Sequence, residues 1–207
     1  LSLGAAGLSP LGDKNISPVV HAADLILLVG YDPIEMRTGW RNLWDSSKTR
    51  VVEFLIASEY SYMHKSSLRF ICNISEGIEA LSKGLEAKTT WENGELIEMR
   101  NKHKKIYGQK QEWGPGAITE TVRSLVPRDT VITMDSGAHR ILISQAWRTY
   151  VPRSALQSSA FCTMGCALPL ATGAKLADPG RVVVAFMGDG GLEMVLGELI
   201  TLRDLGL

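Results

Sequence analysis

The chain has 207 residues, with 22 basic and 22 acidic side chains and a formal net charge of zero. Apolar residues make up 45% and charged residues 21%, a globular composition long enough to bury one good core or two small ones. The charge balance argues against a nucleic-acid arm or a binder of anionic membranes, and the longest apolar runs, Leu25–Val29 and Val182–Met187, are too short to span a bilayer. No basic-then-apolar leader opens the chain, and three cysteines (Cys72, Cys162, Cys166) are too few for a disulfide scaffold. A reducing, cytoplasmic setting is expected.

In chain order, residues 1–12 read as the middle of a loop. Residues 16–30 open with Pro18 and a helical stretch, then run into Leu25–Val29 and Gly30, the pattern of a buried parallel strand. Val51–Ala57 is a second such run, Phe70–Ile74 a short third, and Ser75–Leu85 has Ile78, Leu81 and Leu85 at helical spacing. Together these predict the closing part of a Rossmann-like layer. Residues 86–112 are charged and predict a solvated helix with a linker; the basic cluster Arg100, Lys102, Lys104 and Lys105 sits beside Glu95 and Glu98. A second α/β pattern starts near Trp113. Gly116–Leu125 is an amphipathic helix, Thr130–Met134 a strand, Gly165–Ala177 a tightly packed small-residue helix, and Arg181–Met187 the clearest buried strand. A helix over 192–205 follows, with Gly206 as its C-cap. The fold class predicted is α/β, in two parallel-sheet layers. The ends predict an internal piece of a longer protein.

Chemistry concentrates at Gly188-Asp189-Gly190-Gly191. A buried strand entering a glycine-rich turn and then a helix is a phosphate site in outline, because glycine lets the backbone approach and the helix start offers free N–H groups. Three readings fit the spacing. Dinucleotide binding by G-x-G-x-x-G is met at Gly188 and Gly190, but its last position falls on Glu193, and Asp189 would repel a pyrophosphate. A divalent cation between Asp189 and a diphosphate removes that conflict, since Mg²⁺ commonly bridges a carboxylate and phosphate oxygens. A structural helix cap is the third. Cys162 and Cys166 have C-x3-C spacing without two further zinc ligands nearby and read as packing residues. His21, His64, His103, Trp40 and Trp44 read as structural or surface residues.

The run from Phe161 to Leu202, FCTMGCALPLATGAKLADPGRVVVAFMGDGGLEMVLGELITL, resembles the Gly-x-Met-Gly…Leu-Pro-x-Ala-x-Gly-Ala…Gly-Asp-Gly…Glu-Leu signature of thiamine diphosphate (ThDP) enzymes of the acetolactate synthase-like branch. DSGAH (135–139) resembles the Asp-x-Gly-x-His turn that precedes it, and GYDPIE (30–35) is similar to a segment of catabolic-type synthases. The resemblance implies two partial domains of a three-domain enzyme. Residues 1–85 would be the C-terminal half of the central domain, 86–112 a helical linker, and 113–207 a diphosphate-binding domain truncated at its C-terminus.

The resemblance also implies roles. Asp189 would hold Mg²⁺, with Gly188, Gly190 and Gly191 around the metal and diphosphate. Ser136, Gly137, Ala138 and His139 would hold the other end of the diphosphate, Ala138 standing where the family often has Gln. Met164 would wedge under the cofactor. Cys162 stands where the family usually has Gly, and its carbonyl would accept from the pyrimidine amino group. The implied reaction is 2-oxo-acid decarboxylation with carboligation, pyruvate plus a second oxo acid giving an acetohydroxy acid as in branched-chain amino acid biosynthesis. A ThDP 2-oxo-acid decarboxylase or lyase, and a non-catalytic ThDP-binding subunit, are the alternatives. The active site would form between chains of a homodimer or homotetramer, with no nucleic acid or membrane as partner. FAD, carried in the central domain by some synthases, is left open. No catalytic residue is expected within these residues: the activating Glu would lie in an N-terminal domain and a second metal side chain, an Asn, beyond residue 207. The chain by itself is therefore expected to bind ThDP weakly and to be inactive.

Overall fold

The structure, a computed structural model, describes residues 3–32, 43–58, 64–88, 90–107, 113–159 and 161–207. The GYDPIE segment leaves the described residues after Asp32, and Trp40 lies outside them. Two compact units divide the chain, residues 1–103 and 104–207.

In the first unit, helix α1 (Pro10–Ala22) leads into strand β1 (Leu25–Val29), followed by β2 (Arg50–Leu55), β3 (Leu68–Ile71) and α2 (Ile74–Ser82). The helix begins earlier than the sequence predicts. Ser9 Oγ accepts the Gly12 N–H at 3.1 Å and Pro10 needs no N–H partner, so an N-cap lies inside what reads as loop. The three strands form a parallel sheet in the order β1-β2-β3. Only the central strand is well buried. The prediction that Leu25–Val29 is a buried strand is corrected: Leu25, Leu27 and Val29 are exposed, as are Leu68 and Phe70 of β3. These five share one face with Val52 and Phe54 by register. Helix α2 packs over Phe54, where a Cβ on Gly77 would stand 2.9 Å from the ring. Position in the sheet, not apolarity, sets burial here. On the opposite face the Glu53 carboxylate is buried and takes Arg69 Nε at 2.7 Å and Ser66 Oγ at 2.9 Å, which satisfies a charge otherwise costly to bury. Beyond this sheet, α3 (Glu95–Tyr107) forms within the charged stretch with none of its residues buried.

The second unit contains α4 (Pro115–Leu125), β4 (Val131–Met134), α5 (Ala138–Ala146), β5 (Ala155–Gln157), α6 (Ala167–Ala177), β6 (Val183–Phe186), α7 (Asp189–Met194) and α8 (Glu198–Leu205). Its sheet is parallel in the order β5-β4-β6. All four residues of β4 are buried, whereas β6, read from sequence as the best buried strand, is half-buried because it lies at the edge among the described residues. One face of β4 packs Ile132 and Met134 with Ile143 and Trp147, backed by Val122, Val126, Val184 and Phe186. On the other, Thr133 Oγ1 donates to Ala167 O at 2.7 Å and seats the first turn of α6. Only Ala167 and Leu168 of α6 are buried, so the predicted tightly packed helix is docked by its start. The helix predicted over 192–205 is two helices, broken at residues 195–197, and Gly206 caps the second at φ +70°. Among the described residues no helix is long and apolar enough to cross a membrane.

His64 packs against Trp44 and Tyr31, with ring centroids 4.5 and 5.8 Å apart, and this burial holds its pKa below the ordinary value of 6.5, against the opposing pull of the Glu53 carboxylate. A neutral folded imidazole contributes stability above that ordinary value and loses it as pH falls through the depressed one. Urea unfolding of the first unit is therefore expected to shift to lower midpoint between about pH 7 and pH 5, and His64→Phe to flatten that part of the pH dependence.

Candidate functional site

The site is built where parallel strands end. Because β4 and β6 pair with Met134 opposite Phe186, the residues after each strand leave the same edge of the sheet together. The turn 135–139 follows β4, and Met187 and Gly188 follow β6. The Asp135 N–H reaches Phe186 O at 3.5 Å, and the Ser136 N–H reaches Thr163 O at 3.4 Å, drawing in the loop before α6. The carboxyl edge of a parallel sheet is where such folds place ligands.

At the centre is the carboxylate of Asp135, whose side chain is 0% exposed. Its Oδ1 stands 2.7 Å from His139 Nε2, and its Oδ2 accepts the Gly165 N–H at 2.9 Å. A Cβ on Gly191 would come 1.9 Å from the same Oδ2. The three segments read separately from sequence therefore meet on one acid. Asp135 and Gly165 both fall inside the sequence motifs, which imply no role for either. An acid closing a buried strand ahead of small residues was the available signal. His139 is neither bare nor on the surface. Gly137 has no side chain because the His139 ring would stand 2.6 Å from its Cβ, and that ring also lies 3.6 Å from the Cβ position of Gly188.

Helix α5 starts at Ala138 with no side-chain cap on its first N–H groups, which leaves donors for an anion beside Gly137 and His139. Gly188 is the uncapped N-cap of α7, Asp189 is exposed, and its Oδ1 accepts the Gly190 N–H at 2.9 Å. Met164 is exposed, and its Cε would stand 3.1 Å from a Cβ on Gly190, so the absent side chain makes room for the methionine. Gly165 is held at φ +77°, with Val195 2.9 Å from its Cβ position. Cys162 lies at φ +48°, the left-handed region that glycine occupies without strain. Its Sγ reaches Ser159 O at 3.6 Å and sits 4.0 Å from Arg140 Nη1. None of Cys72, Cys162 and Cys166 is in a disulfide.

Residues 135–207 match the family described as thiamine pyrophosphate enzyme, C-terminal TPP binding domain. Over most of its length the chain is similar to acetolactate synthases. It is 29% identical to the acetolactate synthase of Bacillus subtilis (strain 168) over 88% of its own length and 33% of that protein. It is 27% identical to the catabolic acetolactate synthase of Raoultella terrigena over 96% of its length and 36% of that protein. Against the isozyme 1 large subunit of Escherichia coli (strain K12) identity rises to 40%, over 42% of the chain and 16% of that protein. The chain thus spans about a third of the length of the first two relatives. The TPP-binding match begins at Asp135, the residue on which the turns converge. The parallel sheet of the second unit suits an α/β fold of this binding domain.

Two contrasts test this geometry. Gly191→Ala meets a fixed carboxylate, whereas Gly190→Ala meets the movable end of Met164. The first is expected to cost about 2–3 kcal/mol in denaturant unfolding and the second less than about 1 kcal/mol. Cys162→Gly is expected to raise stability by roughly 0.5–1 kcal/mol by relieving the left-handed backbone, and a loss would show that the thiol contacts dominate.

Proposed function

We propose that the second unit holds the diphosphate end of thiamine diphosphate with Mg²⁺. The whole protein would then carry out ThDP-dependent 2-oxo-acid decarboxylation and carboligation of the acetolactate synthase type. The observation that carries this reading is the convergence of residues 135–139, 162–165 and 188–191 at one sheet edge, lined by glycines whose Cβ atoms would fill it. The donor chemistry fits. Among the described residues no three His, Cys, Asp or Glu side chains gather to hold a metal. A cation here would rest on Asp189 together with phosphate oxygens and water, the common habit of Mg²⁺.

The open N–H groups of Ala138 and His139 would take one phosphate, and Asp189 with Gly190 and Gly191 would take the other through the cation. Met164 would support the cofactor from below, and the Cys162 carbonyl would face its pyrimidine ring. When bound, ThDP supplies the nucleophilic carbon and the cationic electron sink for decarboxylation. The chain's residues orient it. Names of the relatives favour the carboligase over a plain decarboxylase. By the same reading, residues 1–85 are the C-terminal half of a central domain, 86–112 a linker and 113–207 the diphosphate-binding domain. A second copy would complete the site in a homodimer or homotetramer; exposed Met194, Leu196, Leu199 and Ile200 offer apolar surface for one.

Thermal unfolding tests this directly. ThDP with Mg²⁺ is expected to protect the chain, by about 1.4 kcal/mol at ten times the dissociation constant, while NAD does not. Asp189→Asn is expected to remove the Mg²⁺-dependent part. Protection by NAD and not by ThDP with Mg²⁺ would overturn the reading in favour of a dinucleotide module.

A further inference from the structure

We propose that Asp135 is the positioning residue of this site: its buried carboxylate shapes the diphosphate cradle before any ligand arrives and fixes which edge of His139 faces it. Both oxygens are engaged by different segments, Oδ1 with His139 Nε2 at 2.7 Å and Oδ2 with the Gly165 N–H at 2.9 Å. The third segment is held by exclusion, because Gly191 lies so close that a Cβ would stand 1.9 Å from Oδ2. A buried acid whose acceptors are filled rigidifies what it touches, and one left unfilled is costly, so the three segments are locked to a common position.

The consequence for His139 follows from donor and acceptor roles. A carboxylate accepts only, so Nε2 must carry its hydrogen toward Asp135. The adjoining edge, Cε1 and Nδ1, then lies 2.6 and 2.7 Å from the Cβ position of Gly137, and 3.6 and 3.7 Å from that of Gly188. That edge is turned toward both glycine turns proposed above to hold the diphosphate. Asp135 is buried and would act on a bound diphosphate only through His139, Gly165 and Gly191. The effect on ligand binding rests on the diphosphate reading, whereas the lock itself does not.

Asp135→Asn separates these roles. The amide has one acceptor and one donor, while Gly165 and His139 each present an N–H. The amide group is expected to accept from Gly165 and donate to Nε2, which moves the imidazole hydrogen to Nδ1. Long-range ¹H–¹⁵N spectra of the unliganded 207-residue chain are expected to show Nε2 protonated in His139 of the wild type and Nδ1 protonated in Asp135→Asn. With the fold retained, affinity for ThDP with Mg²⁺ is expected to shift on the order of tenfold to a hundredfold, because the edge of His139 turned toward the diphosphate changes from acceptor to donor and a hydrogen bond to a charged group is worth about that much. A wild-type His139 protonated at Nδ1 alone overturns the proposal, and needs no variant. An unchanged affinity in Asp135→Asn also overturns it. If the wild type binds no ThDP, the diphosphate reading fails, and the protonation pattern still decides the lock.

Discussion

The register of β4 against β6 is the constraint on which the site depends. Parallel strands deliver their following residues to one edge, and pairing Met134 with Phe186 places Asp135 level with the exit toward Gly188. A shift by one residue would turn Ile132 and Met134 away from Ile143 and Trp147 and bring Thr133 into that apolar layer. The Thr133 hydroxyl, bonded to Ala167 O on the opposite face, opposes the same slip. The register is therefore held from both faces of a fully buried strand. The loop geometry inherits that precision, which irregular backbone could not supply alone.

Within this frame the glycines have two reasons to be glycine. Close approach of backbone to the proposed diphosphate would be one. Neighbouring protein atoms supply the other: the Asp135 carboxylate excludes a side chain at Gly191, the Met164 tip crowds Gly190, and Val195 with a left-handed backbone holds Gly165. The G-D-G-G turn is thus specified in part by internal packing alone. The same packing links the loop before α6 to the turn after β6, 30 residues apart in the hydrogen bond from Gly165 to Asp135.

Local pattern carried much of this. The strands at 51–55 and 131–134, the helices at 74–82 and 115–125, and the αL cap at Gly206 follow from apolar runs, helical spacing and glycine. What did not follow was decided by neighbours. Apolar runs identify strands, yet Leu25–Val29 and Val183–Phe186 lie at sheet edges among the described residues, and their burial depends on which layers cover them. The break at residues 195–197 has no proline to announce it, although Gly197 stands there. Helix α5 and the short strand β5 lie in a stretch without a clear period. At the site, the motifs lie on loops that the structure brings together, while the meeting of Asp135 with His139, Gly165 and Gly191 is a tertiary fact. No spacing rule encodes it.

Cys162 shows how far loop shape can outlast the residue that makes it easy. The family signature that the sequence resembles has glycine there, and a side chain in the left-handed region costs about 1–2 kcal/mol. The backbone nonetheless keeps φ +48°. The neighbours explain why. Thr163 O is tied to the Ser136 N–H, Gly165 is pinned to Asp135, and Cys162 Sγ reaches back to Ser159 O. A relaxed conformation at Cys162 would have to break at least one of the first two contacts, and the Gly165 bond ends on a buried carboxylate that would then be left short of a donor. Losing that donor costs at least as much as the strain. The loop therefore holds its course, and the direction of the Cys162 carbonyl follows from Asp135 rather than from the identity of the residue that carries it.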